Sequence, residues 1–215
     1  TTLRQTLIKN TTWVIVSDSI IRILKFFLIP YSSYVLGVTH FGLFYYLISL
    51  CAAFYLFSDL GLSAYIGRKY NQCTSLLEQK TSVSLYFYTK LFFIIICFIL
   101  SLCLLLFEKD SFTIKALLLM LFVTVFDQLK KIFISLLSSQ KRNEVYSIIA
   151  VMGNLFLVVV AFLVLKFTGS LIYFIAVYLI SHGIELTCFI FYFRRNFPSY
   201  HLFRLSKSIV VLKES

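Results

Sequence analysis

The sequence predicts an all-α polytopic membrane protein, a bundle of about six transmembrane helices, on three observations. The 215 residues are 60% hydrophobic and only 13% charged, a balance too apolar to be hidden in one water-soluble core. Several apolar stretches reach the roughly 20 residues that a helix needs to cross a hydrocarbon layer of about 30 Å. These runs are continuous, as over 91–107. They lack the inside/outside alternation of a barrel strand, which is the other way to satisfy backbone groups in lipid.

Six spans follow in order. The first, 12–36, opens on Trp13 and carries Pro30, which removes a backbone hydrogen bond and is expected to kink it toward its far end. The second, 43–66, follows the glycines Gly37 and Gly42 and contains Gly61, which would allow close helix approach or a C-terminal break. The third and fourth, 84–107 and 116–138, are separated by the polar stretch around Lys109 and Lys115; the fifth and sixth are 145–165 and 170–193. Every linker is short, so sequence neighbours pack antiparallel. Residues 1–193 make one six-helix lobe, and 194–215 are a basic cytoplasmic segment or the approach to a further span. The first apolar run is longer than a signal peptide's and lacks an A-x-A-like site, so it reads as a span; the absence of an initial methionine raises the expectation of a truncated chain.

Charge sets the expected orientation. One side collects twelve basic residues (Arg4, Lys9, Arg68, Lys69, Lys80, Lys141, Arg142, Arg194, Arg195, Arg204, Lys207 and Lys213), the other only Lys109, Lys115 and Lys166. Basic residues in short loops stay in the cytoplasm, so both ends of the chain are expected there. The net charge of +11 is scattered over these loops and builds no basic domain for nucleic acid. Tyrosines near the span ends, such as Tyr31, Tyr46 and Tyr173, read as interfacial anchors. The five cysteines show no CxxC pair and no metal-ligand spacing. No HExxH, G-x-S-x-G, GxGxxG or Walker A motif occurs; no catalytic residue, metal or organic cofactor is expected.

Nine charged residues inside the spans carry the functional information, because each costs about 2.5–3.5 kcal/mol at mid-bilayer unless it has a partner, water or an escape to the interface. Asp18, Arg22 and Lys25 stand at i, i+4 and i+7, on one stripe of the first helix. An Asp18–Arg22 pair would leave Lys25 over. Lys90 lies about two turns into the third span. Asp127 reaches Lys130 at i+3 and Lys131 at i+4 on the fourth, and His182 and Glu185 are i, i+3 neighbours on the sixth. Asp59 closes the apolar part of the second. The cations Arg22, Lys25, Lys90, Lys130 and Lys131 are therefore candidates for binding an anionic headgroup such as pyrophosphate, which Arg grips bidentately and Lys as a point charge. Asp18, Asp59, Asp127, Glu185 and His182 are candidates for ion coupling or structural pairing, and coupling to protons or sodium stays open at this point.

The stretch from Leu36-Gly37 through Phe41-Gly42-Leu43-Phe44 (LGVTHFGLF), followed by Phe57-Ser58-Asp59-Leu60-Gly61-Leu62-Ser63 (FSDLGLS) and Arg68, resembles the polysaccharide-transporter family that includes Wzx-type O-antigen flippases. The opening Asn10 to Trp13 (NTTW) and Pro30 fit the same pattern. These motifs cover about the first seventy residues. The resemblance implies the multidrug/oligosaccharidyl-lipid/polysaccharide exporter superfamily, with two six-helix lobes of which this chain is the first. It further implies alternating access that moves undecaprenyl-pyrophosphate-linked oligosaccharide, an O-antigen or capsular repeat unit, across the bacterial inner membrane. The expected partners are that glycolipid, membrane lipids and a C-terminal lobe. A cation-coupled drug antiporter of the same superfamily would instead depend on Asp18, Asp59 or Glu185, and a non-transporting membrane scaffold would use its charges only as pairs.

Overall fold

The computed structural model describes residues 3–59, 61–73 and 75–196, and the side chains among these from Lys9 on, except Leu76 and Leu77. Arg4 has its backbone but not its side chain described; Arg204, Lys207, Lys213 and the segment 203–212 lie outside the described residues. The order is α1 (Leu3–Leu56), α2 (Leu62–Gln72), α3 (Leu76–Leu102) with a 3-10 turn at Cys103–Leu106, α4 (Ser111–Ser139), α5 (Asn143–Thr168) and α6 (Leu171–Asn196). No strand occurs among the described residues. Five helices are long and apolar enough to cross a membrane, and the longest of them is two arms in one.

Helix α1 breaks at Gly37, whose φ of 73° and ψ of 165° lie in a region that essentially only glycine enters. Neighbours on either side of the break establish a reversal. Along the ascending arm, 3–36, Ser17 meets Ser147 and Tyr31 meets Phe162, so the arm runs parallel to α5. Along the descending arm, 38–56, and the turn that follows it, His40 meets Phe112 and Ser58 meets Gln128, so this part runs parallel to α4. Arg142 meets Tyr192 and Gly153 meets Ser181, which makes α6 antiparallel to α5. The first two expected spans are thus the two arms of α1, joined by one residue. The dihedrals stay helical through Pro30 and fail only at Gly37; the break sits where positive φ is needed, not where one donor is lost.

The expected second span, 43–66, stops earlier than its apolar character suggests. The helix ends at Leu56, residues 57–59 turn, Gly61 stands at φ 80°, and the chain restarts as α2. Only Ile66 of α2 is buried, whereas Arg68 and Lys69 are exposed. Side chains cap two of the later helices: Ser75 accepts from the Glu78 amide at 3.1 Å, and Asp110 from the Thr113 amide at 2.9 Å. The carboxyl of Asp110 is held below its usual range by these Thr113 hydrogen bonds, side chain and backbone. Gly169, at φ 56°, closes α5 before α6.

Two apolar cores stack along the bundle. One gathers Leu28, Phe44, Leu117, Met120, Leu157 and Phe174; the other Ile66, Tyr86, Phe133, Leu136, Phe189 and Phe193. Lipid is as apolar as leucine, so burial from water does not hold such helices together and close packing with interhelical hydrogen bonds must. The α5–α6 contact shows both. Ser181 donates to the Gly153 carbonyl at 2.9 Å, and a Cβ at Gly153 would run into the Glu185 side chain.

Candidate functional site: a polar layer between two apolar cores

Between the two cores lies a polar layer built from α4, α6 and the turn after α1. On α4, Val123 belongs to the first core and Phe133 to the second, with Asp127, Gln128, Lys130 and Lys131 between. On α6, Val177 and Leu186 bracket His182 and Glu185 in the same way. Lys130 stands nine residues before the end of α4, roughly 14 Å at 1.5 Å per residue, inside a helix long and apolar enough to cross a membrane.

Lys130 is the hub. Its side chain and that of Glu185 are each only 6% exposed, and they pair directly. Lys130 also bonds His182 Nδ1. Asp127 lies 3.7 Å from Lys130 and 3.1 Å from Lys131, the two spacings expected along one helix. The long-range partners come from neither spacing: α4 and α6 run parallel, and Gly153 on α5 leaves the room in which Glu185 reaches Lys130.

Lys90 and Asp59 form a second pair. Lys90 is completely buried and pairs with the Asp59 carboxylate, which also accepts from Ser63 at 2.6 Å. The break at 57–61 puts Asp59 where a continuous helix would not. Lys90, a candidate for an anionic headgroup on sequence, thus has its carboxylate partner inside the bundle.

The stripe on the ascending arm behaves differently. Arg22 is exposed, Asp18 and Lys25 half-buried. Among the described residues Asp18 and Arg22 form no ion pair with each other, and Lys25 has no ion pair within 4 Å.

A cavity of about 530 Å³ opens between the descending arm, α4 and α6. Asp59, Asp127, Gln128, Lys131 and His182 are among its polar lining residues, and Ile48, Met120, Val123, Tyr55 and Tyr178 among those that add apolar surface. Sequence reasoning missed Gln128, which is buried and accepts from Ser58 at 3.2 Å, and Tyr178. The only available signal was a polar or aromatic residue one position from, or four before, a charge already singled out. No group of three metal-ligating side chains occurs among the described residues.

A family model described as "Polysaccharide biosynthesis protein" matches residues 7–214, nearly the whole chain. No curated protein and no solved structure matches it. The chain is multi-pass, helical and charged in its interior, and the match extends the likeness of the first seventy residues to all six helices.

Proposed function

Since the chain belongs to the polysaccharide biosynthesis protein family, we propose that it is a flippase-type transporter of lipid-linked oligosaccharide, working as one lobe of a two-lobed carrier. The observation that carries this reading is the stripe of exposed Arg22 and half-buried Lys25 inside an apolar span, neither with an ion pair among the described residues. A cation there cannot rest against lipid without a cost of several kcal/mol; it needs water or an anion. The diphosphate of a polyprenyl carrier supplies the anion, with Arg22 as a bidentate donor and Lys25 as a point charge. The lipid tail stays in the bilayer while the glycan crosses through a polar path, and rocking of two lobes exposes the site to each side in turn. The lopsided loop charges support a cytoplasmic location for both ends, in the bacterial inner membrane.

Asp59, Asp127 and Glu185 are each held by a lysine. This favours recognition by cations over an antiporter that takes its coupling ion at these acids. The test is export of cell-surface polysaccharide in a flippase-deleted bacterium complemented with the full-length gene, comparing wild type, Arg22→Ala and Lys25→Ala at matched membrane abundance. Restored export with wild type and loss with either variant is expected. Full export with both variants would discard the stripe as the headgroup site, and preserved export on exchanging Asp18 with Arg22 would point to a scaffold.

A further inference from the structure

The cavity between the descending arm, α4 and α6 differs in chemistry from the stripe. Its volume, about 530 Å³, lies in the range of pockets that enclose a small organic ligand. Its charges are already answered: Asp59 by Lys90, and Asp127 by Lys131 and Lys130. A diphosphate entering it would meet two carboxylates and a single lining cation, Lys131, itself 3.1 Å from Asp127. The cavity is thus a poor phosphate site. What it offers is hydrogen bonding without net positive charge. The carboxylates accept, the Gln128 amide donates, the His182 imidazole offers one nitrogen of each kind when neutral, and Tyr55 and Tyr178 add aromatic surface.

Donors, acceptors and aromatic rings lining one cavity match the hydroxyls and the C–H face of a pyranose. Its hydroxyls donate to carboxylates and accept from amide and imidazole N–H groups, while its C–H face lies on an aromatic ring. We propose that this cavity is a glycan subsite that takes an uncharged sugar ring of the lipid-linked oligosaccharide, leaving the diphosphate to Arg22 and Lys25. The proposal rests on the flippase reading above and adds a division of labour. The ascending arm holds the phosphates, and the descending arm with α4 and α6 holds the sugar.

The experiment uses the full-length protein in nanodiscs and two probes: sugar-free undecaprenyl pyrophosphate, and the polyprenyl-pyrophosphate oligosaccharide that accumulates in the host strain lacking this gene. Wild type is expected to bind the oligosaccharide-bearing lipid more tightly. Ala52→Phe, which fills the cavity from the descending arm, is expected to weaken that lipid tenfold or more and to leave the sugar-free lipid unchanged. Gln128→Leu, close to isosteric, is expected to weaken it several-fold with the same selectivity. Equal affinity of wild type for both lipids, or an equal loss of both in the two variants, would overturn the glycan subsite while leaving the flippase reading in place. If wild type binds neither lipid, the flippase reading falls and takes the subsite with it.

Discussion

The α4–α6 layer and the ascending arm of α1 carry similar charges at similar depth and treat them in opposite ways. In the layer, Lys130 is buried against Glu185 and His182, with Asp127 shared between two lysines. On the arm, Asp18, Arg22 and Lys25 share a helical stripe, yet Arg22 stays exposed and Lys25 unpaired among the described residues. A buried pair is self-sufficient: removing one member strands the other, so the pair holds its helices in register whatever ligand is present. An unpaired charge is an open requirement that something beyond the lobe must meet. The difference separates charges that are answered inside the bundle from charges that are not.

The sharpest way to break the comparison is Glu185→Ala, which leaves Lys130 buried without its main counter-charge. It should cost about 3–5 kcal/mol, seen as a large drop in thermal stability of the detergent-purified protein. A smaller loss would mean that water already reaches the layer. Next, Gly153→Ala sets a methyl against the Glu185 side chain and should cost about 1–3 kcal/mol by overpacking, with much of the loss relieved by pairing it with Glu185→Asp. On the other side of the comparison, Arg22→Ala should change stability by no more than about 0.5 kcal/mol while export falls. A stability loss as large as that of Glu185→Ala would merge the two regions into one structural network. Smallest is Asp110→Ala, which removes the α4 cap outside both regions and should speed amide exchange at Thr113 without affecting export. Because the Asp110 carboxyl is held below its ordinary range in the folded state, its stabilisation is complete above that range. It is lost only as pH falls through the depressed value, so the Thr113 amide of wild type should stay protected to lower pH than an unbonded aspartate would allow.

The spans were legible because a bilayer imposes a length, and the Asp127 pairs because i+3 and i+4 spacings follow from the helix itself. Gly37 was legible as a turn, although its conversion of two spans into one helix interrupted by a single residue was not. The pairs Lys130–Glu185 and Lys90–Asp59 join residues on different elements. Their formation depends on the register of parallel α4 and α6 and on an early end to the descending arm, neither of which leaves a periodic mark in sequence. Gly153 shows the limit most clearly. It reads as an ordinary membrane-helix glycine, and only the carboxylate lying where its Cβ would be gives it a role.

The single-residue reversal at Gly37 also bears on how the chain enters its membrane. From Lys25 to Asp59 no Asp, Glu, Lys or Arg intervenes, and the tip of the hairpin contains no hydrophilic loop. The two arms therefore need not be threaded one after the other with a polar segment hauled across between them. They can enter together as a folded helical pair during synthesis, tip first.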